Sequence, residues 1–172
     1  VRPAQVVLRN DRTREILAAL RPAVARALNR AIDTTKTDVA RKLSAELGLR
    51  QAPIKERLRI QRATADRLEA TLTVARKPPI ALTEYPGVRQ VKQGVTRTGK
   101  GTIRHAFLAT MKSGHVGAFL RKGRRRLPIR ELMGPNLPKL AVEKHILESA
   151  QAVGEAAFTK NLTHELGRVI NP

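Results

Sequence analysis

The sequence predicts an α+β protein with a long N-terminal helix, a small antiparallel sheet carrying basic loops, and a C-terminal helix. Two observations carry this. Apolar residues recur in steps of three and four near both ends of the chain, whereas the middle alternates β-branched and polar residues between Gly and Pro breaks. At 172 residues the chain suits one domain, divided here into a helical segment (1–50), a basic β-rich region (51–139) and a C-terminal helix (140–172). It contains no internal repeat and no low-complexity tract.

The first helix is capped by Asp11 or Thr13, and its apolar stripe runs Ile16, Leu17, Leu20, Val24, Leu28, Ala31, Thr35, Val39, Leu43, Leu47. Pro22 lies inside the stripe and either restarts the helix or kinks it, and Gly48 is the expected stop. A stripe of that length predicts packing on a neighbour as well as on its own core. "APIKERLRI" allows a short helical turn from Pro53. "LRIQRAT" and "LEATLTVAR" then predict a hairpin, Leu58 to Thr64 with Leu68 to Arg76, ended by Pro78 and Pro79.

Beyond the prolines, "IALTEY" suggests a short strand. "VRQVKQGVTRT" alternates Val88, Val91 and Val95 with basic residues before a turn at Gly99-Lys100-Gly101. "TIRHAFLATM" and "HVGAFLRK" follow as strands, and "LMGPNLPKLA" reads as an ordered loop. The last helix starts near Leu140 with the stripe Ile146, Leu147, Ala150, Val153, Ala157, Phe158, Leu162, Leu166, Val169, Ile170.

Composition excludes several classes. Hydrophobic residues make up 41% of the chain but aromatics only 2%, so Ala, Val, Leu and Ile build the core and few platforms exist for stacking bases. The absence of cysteine rules out disulfides, thiolate metal sites and a Cys nucleophile. No apolar run approaches the roughly 18–20 residues that span a bilayer, and "VRPAQVVLRNDRTREI" lacks the apolar core of a secretory signal. The expectation is a soluble chain with no membrane partner.

Net charge is +20, a field that calls for a polyanionic partner or an acidic protein surface. It is uneven: residues 1–58 carry a net +7, residues 59–140 a net +14, and residues 141–172 a net −1. The middle of the chain is the cationic part.

Two motifs mimic enzyme chemistry. In "GVTRTGKGT", Gly94, Gly99 and Lys100 fit a phosphate-binding loop, but Gly101 stands where a Mg²⁺-ligating hydroxyl belongs. The stretch is flanked by strands, without the following helix whose N-terminus would face the phosphates, so it reads as a hairpin turn. "THELG" opens like a zinc-protease helix, yet Arg168 occupies the place of the second histidine after His164. His105, His115, His145 and His164 have no compelling ligand spacing, and the fourteen carboxylates are scattered. The reading is therefore a non-enzyme without metal or cofactor.

The densest charge lies in "GHVGAFLRKGRRRLPIRELMGP", where Arg121, Lys122, Arg124, Arg125 and Arg126 surround Gly123 and Arg130 follows. Arg97, Lys100 and Arg104 form a secondary basic loop. Such cations serve nonspecific binding of nucleic-acid phosphates, docking on carboxylates of another subunit, or simply a solvated turn. The first reading makes the chain a nonspecific nucleic-acid-binding protein using residues 89–130. No RNA-module signature or recognition-helix pattern accompanies it.

The run "FLATMKSGHVGAFLRKGRRRLPIRELMGP" resembles the signature of the phage minor tail protein Z family. The matching residues are Ala106-Phe107, Ala109-Thr110-Met111, Ser113-Gly114-His115, Gly117, Phe119, Arg121-Lys122-Gly123, Leu127-Pro128-Ile129, Glu131-Leu132 and Gly134-Pro135. Lys112 and Ala118 fall at variable positions. "ALNRAIDTTKTDVARKLSAELGL" and "IKERLRIQRATADRLEATLTV" resemble the family's N-terminal helix and first hairpin, so the likeness covers nearly the whole chain.

The resemblance implies a structural virion protein at the head-proximal end of a long tail. It would complete the tail, join it to the head and position DNA for passage. Implied partners are further copies in a ring, sixfold to match the tail tube, the tail terminator and head–tail connector proteins, and DNA in the tail lumen. The implied location is the virion neck, with assembly in the host cytoplasm. No catalytic residue is carried over.

Overall fold

The computed structural model describes residues 11–75, 77–97 and 101–170. Helix α1 (Asp11–Leu47) is followed by α2 (Gln51–Lys55) and two strands, β1 (Leu58–Gln61) and β2 (Thr71–Val74), which pair as a two-stranded sheet. A 3-10 turn (Leu82–Glu84) leads to β3 (Arg89–Val91), β4 (Gly94–Arg97) and β5 (Gly101–Arg104), a second sheet. A third contains β6 (Ala106–Thr110), β7 (Val116–Arg121) and β8 (Ile129–Glu131). Helices α3 (Leu137–Glu143) and α4 (Ile146–Ile170) end the fold. The α+β class stands, with three small antiparallel sheets in place of one.

Several boundaries differ from expectation. Helix α1 continues through Pro22 and stops at Gly48, whose φ of +63° lets the Leu49 amide return to the Ser44 carbonyl at 3.1 Å. That six-to-one bond closes a Schellman stop. Helix α2 starts two residues before Pro53, which sits in the first turn where its missing N–H costs nothing. The first hairpin strands are shorter than expected, and residue 76 lies outside the described residues.

"IALTEY" is not a strand. Only Ala81 bridges Met133, and the chain then tightens into the 3-10 turn. His105, at φ +61°, divides "TIRHAFLATM" into β5 and β6. Strand β8 ends just before the expected loop, helix α3 takes up the loop's second half from Leu137, and the last helix is two helices separated at Lys144–His145. Helix α1 already includes Asp11 and Thr13, whose capping side chains lie outside what is described, as do the turn residues Gly99 and Lys100.

The residues group into two compact units, described separately. One contains α1 up to Lys36, Ile60–Leu72 and α4 from Ala150 onward. Its packing relies on small residues: Ala23 and Ala27 are fully buried, and Gly154 lies so near α1 that an added Cβ would be 2.7 Å from Thr35 Oγ1. Close helix approach at Ala and Gly replaces aromatic bulk. The Asn29 side chain brackets Ala63, accepting its N–H at 2.9 Å and donating to its carbonyl at 3.0 Å. Glu165 is fully buried, with Oε2 2.6 Å from Arg26 Nε and Oε1 2.9 Å from Arg30 Nη1.

The other unit contains Thr37–Arg59 and Thr73–Ser149. Val39, Leu43, Ile54, Ile80 and Val95 are its largest fully buried apolar side chains. Tyr85 is buried against Gly134, whose amide donates to the Ile80 carbonyl at 2.7 Å. A Cβ at Gly134 would be 1.9 Å from Tyr85 Oη and 2.6 Å from Cζ, so Gly134→Ala should cost about 2 kcal/mol through overpacking. The buried Tyr85 hydroxyl has no hydrogen-bond partner among the described residues. Tyr85→Phe should therefore leave stability unchanged or higher, and partly rescue Gly134→Ala; urea midpoints of the two singles and the double test both statements.

Candidate functional site

Strands β6 and β7 pair in register from Ala106↔Leu120 to Thr110↔Val116, and β7 continues onto β8 with Leu120↔Arg130 and Arg121↔Ile129. The arginine-rich run is thereby the connection between two strands. Arg121 ends β7 and Arg130 lies within β8. Lys122, Arg124, Arg125 and Arg126 occupy the connection, closed by the Lys122 amide donating to the Pro128 carbonyl at 3.0 Å. These side chains are exposed, as charge requires. The Arg121 guanidinium is 5.1 Å from the Phe107 ring centroid, a cation–π contact that orients it.

The neighbouring sheet brings further cations. Strands β3 and β4 form a hairpin, Arg89↔Thr96 to Val91↔Gly94, turning at Lys92 and Gln93, and β4 pairs with β5 through Gly94↔Arg104. One neutral side chain connects this sheet to β6. Gln90 Nε2 donates to the Gly94 carbonyl at 2.9 Å, while its Oε1 accepts the Leu108 amide at 2.8 Å. The His105 amide donating to the Gln93 carbonyl at 3.0 Å reinforces the junction.

A concave groove of about 860 Å³ opens there. Lys92, Arg104, Arg121, Lys122 and Arg124 line it, and among the described residues no carboxylate does. Glu131, the carboxylate nearest the arginine run in sequence, is taken by His115 Nε2 at 2.8 Å. The structure thus unites one member of the secondary basic set, Arg104, with three of the principal run. It adds Lys92, which sequence reasoning passed over because a lone lysine in a two-residue turn gives no signal. Arg125, Arg126 and Arg130 do not line the groove.

The two remaining candidates fare differently. Lys100 lies outside the described residues. Arg97 is engaged inside the fold: its guanidinium stacks on the Tyr85 ring 3.8 Å from the centroid, and Nη2 donates to the Leu47 carbonyl. A cation there satisfies an orphan carbonyl at the C-terminus of α1 and complements the helix dipole. Burial pushes the Tyr85 hydroxyl above its ordinary pKa despite the neighbouring Arg97.

Among the described residues no cluster of His, Asp and Glu is arranged to hold a metal ion, and no helix is long and apolar enough to cross a membrane. Glu165, within the zinc-protease look-alike, is instead the buried partner of two arginines on α1.

The fold thus gathers five exposed cations of one unit around a single groove. The family model of prophage minor tail protein Z matches residues 15–171, nearly the whole chain. The chain belongs to that family, and is accordingly a structural protein of a phage tail and a component of the virion. No curated protein and no solved structure matches it.

Proposed function

We propose that this protein completes the tail at its head-proximal end, as a ring-forming homo-oligomer that lets the tail join the head and positions DNA for passage. Family membership over residues 15–171 is the observation that carries this reading. Two surfaces support it. In the first unit, Leu28, Ile32 and Phe158 are half-buried around an apolar groove of about 250 Å³, a surface that suits self-association. In the second, exposed cations give docking its register and speed.

Replacing Arg124, Arg125 and Arg126 together with serine and assembling tails tests the role of the loop. Head joining and infectious titre should fall roughly tenfold or more, the equivalent of about 1.4 kcal/mol of docking energy. Normal joining with normal titre overturns a role for the loop in tail completion. Mass measurement of nuclease-treated protein in high salt tests the ring: six copies are expected, and a monomer on assembled tails contradicts it.

A further inference from the structure

We propose that the groove formed by Lys92, Arg104, Arg121, Lys122 and Arg124 binds the sugar–phosphate backbone of nucleic acid without regard to sequence. This assignment holds or fails independently of the tail-completion reading, because it concerns the purified chain.

The five cations come from three places in the sequence: the β3–β4 turn, the end of β5, and the end of β7 with its following loop. Only the folded sheets bring them to one concavity. Like charges held close repel one another, by several tenths of a kcal/mol or more per pair even in water. A fold that gathers them without an interleaved carboxylate is arranged for an anion from outside.

The groove is also held in shape before any ligand arrives. Gln90 is held in its own sheet by the Gly94 carbonyl at 2.9 Å and accepts the Leu108 amide of the other sheet at 2.8 Å, and the Phe107 ring supports Arg121. Little ordering cost is therefore left for binding.

The lining decides between a phosphate backbone and an acidic protein segment. Protein interfaces concentrate energy in a desolvated apolar or aromatic centre. Here Ala106 is buried, while Leu120 and Phe107 are half-buried, the latter with Arg121 over its ring. None of the exposed large apolar side chains described in this unit (Ile103, Val116, Leu127, Met133, Val142 and Leu147) lines the groove. What the groove offers is charge, the Gln93 amide and backbone at Gly94 and Gly123, which suits repeated phosphates. Among the described lining residues no Phe, Tyr or Trp ring is free, since Arg121 covers Phe107, and five cations outnumber His105 and the glutamine amides, so contacts are chiefly to backbone and not to bases.

The test is fluorescence anisotropy of a labelled mixed-sequence DNA duplex, with full-length protein freed of nucleic acid in high salt, repeated across NaCl concentrations. Five phosphate contacts predict a slope of log affinity against log salt of about −4.5. Replacing Lys92, Arg104 and Arg124 with serine should reduce its magnitude by about 2.7, and weaken binding equally for unrelated sequences. The charge-matched control replaces Arg125, Arg126 and Arg130 with serine and should change the slope by less than about 1. If the groove triple fails to melt cooperatively, Arg124→Ser alone, on the exposed loop, should reduce the slope by about 0.9. Equal losses in the two triples overturn the site, since charge would then act without place. Absence of duplex binding together with binding of polyglutamate also overturns it, and assigns the groove to an acidic protein segment.

Discussion

Gly94→Ala should be among the most damaging single substitutions in the protein, costing about 3 kcal/mol and lowering Tm by roughly 6–12 °C. A Cβ there would be 2.0 Å from the Ile103 carbonyl oxygen, 2.9 Å from its carbon and 3.0 Å from the Arg104 Cα. All three atoms are backbone, so no side-chain rotation relieves the overlap. The β4–β5 pairing must open where Gly94 faces Arg104. Because the Gly94 carbonyl also accepts from Gln90, the distortion reaches both the junction of the sheets and the placement of Arg104. The variant should therefore lose DNA affinity with no change in charge. Calorimetry together with amide exchange over residues 101–104 checks this. A Tm within about 1 °C of the parent would mean that the strands separate freely there.

Such a position is invisible in the one-dimensional pattern, where Gly94 looked like the first residue of a failed phosphate loop. Helices were the easier reading. Periodicity located both long ones, and Gly48 marked the stop of α1 because a left-handed residue is needed there. Where the reading failed, the residue types carried no break. Lys144–His145 interrupts the last helix with His145 at φ +50°, and Lys92–Gln93 turns a hairpin without Gly, Asn or Pro in the turn. The apolar stripe of α1 also favoured large residues. Yet Leu20, Val24 and Leu28 are only half-buried, whereas Ala23 and Ala27 are fully buried.

The site was legible as charge and not as shape. The run from Arg121 to Arg126 announced itself, and the residues framing it carried the family resemblance later matched over the chain. Which cations share a groove depends on Gln90, a neutral residue whose amide joins two sheets that pattern reading treated as one. Arg97 shows the converse. In sequence it resembles Arg104, but its guanidinium completes a helix terminus. Sequence distance hid Glu165 in the same way, since its partner Arg26 is 139 positions away.

Glu165→Gln should destabilise the protein by about 2 kcal/mol at pH 7, and the pH dependence of that loss identifies its cause. The hydrogen bond from Arg26, outweighing burial, holds the Glu165 carboxyl below its ordinary value of 4.5. Burial would raise Asp38 from 3.8, but Lys42 and Arg41, each 2.6 Å from its oxygens, together hold it lower. A carboxyl whose folded pKa is depressed contributes stability above its unfolded pKa and loses it as pH falls through the folded value. Wild type should therefore lose stability progressively as pH falls below about 4.5, and Glu165→Gln should converge with it once pH has passed below the depressed folded value, where both carry an uncharged group. Part of the acid slope should persist in the variant, owed to Asp38, and disappear in the double with Asp38→Asn. The cost stays below that of breaking a deeply buried pair because Arg26 and Arg30 are about half exposed and rehydrate when released. Urea unfolding from pH 3 to pH 7 gives all three curves. A Glu165→Gln difference constant across that range would show that shape, and not charge, holds α4 against α1.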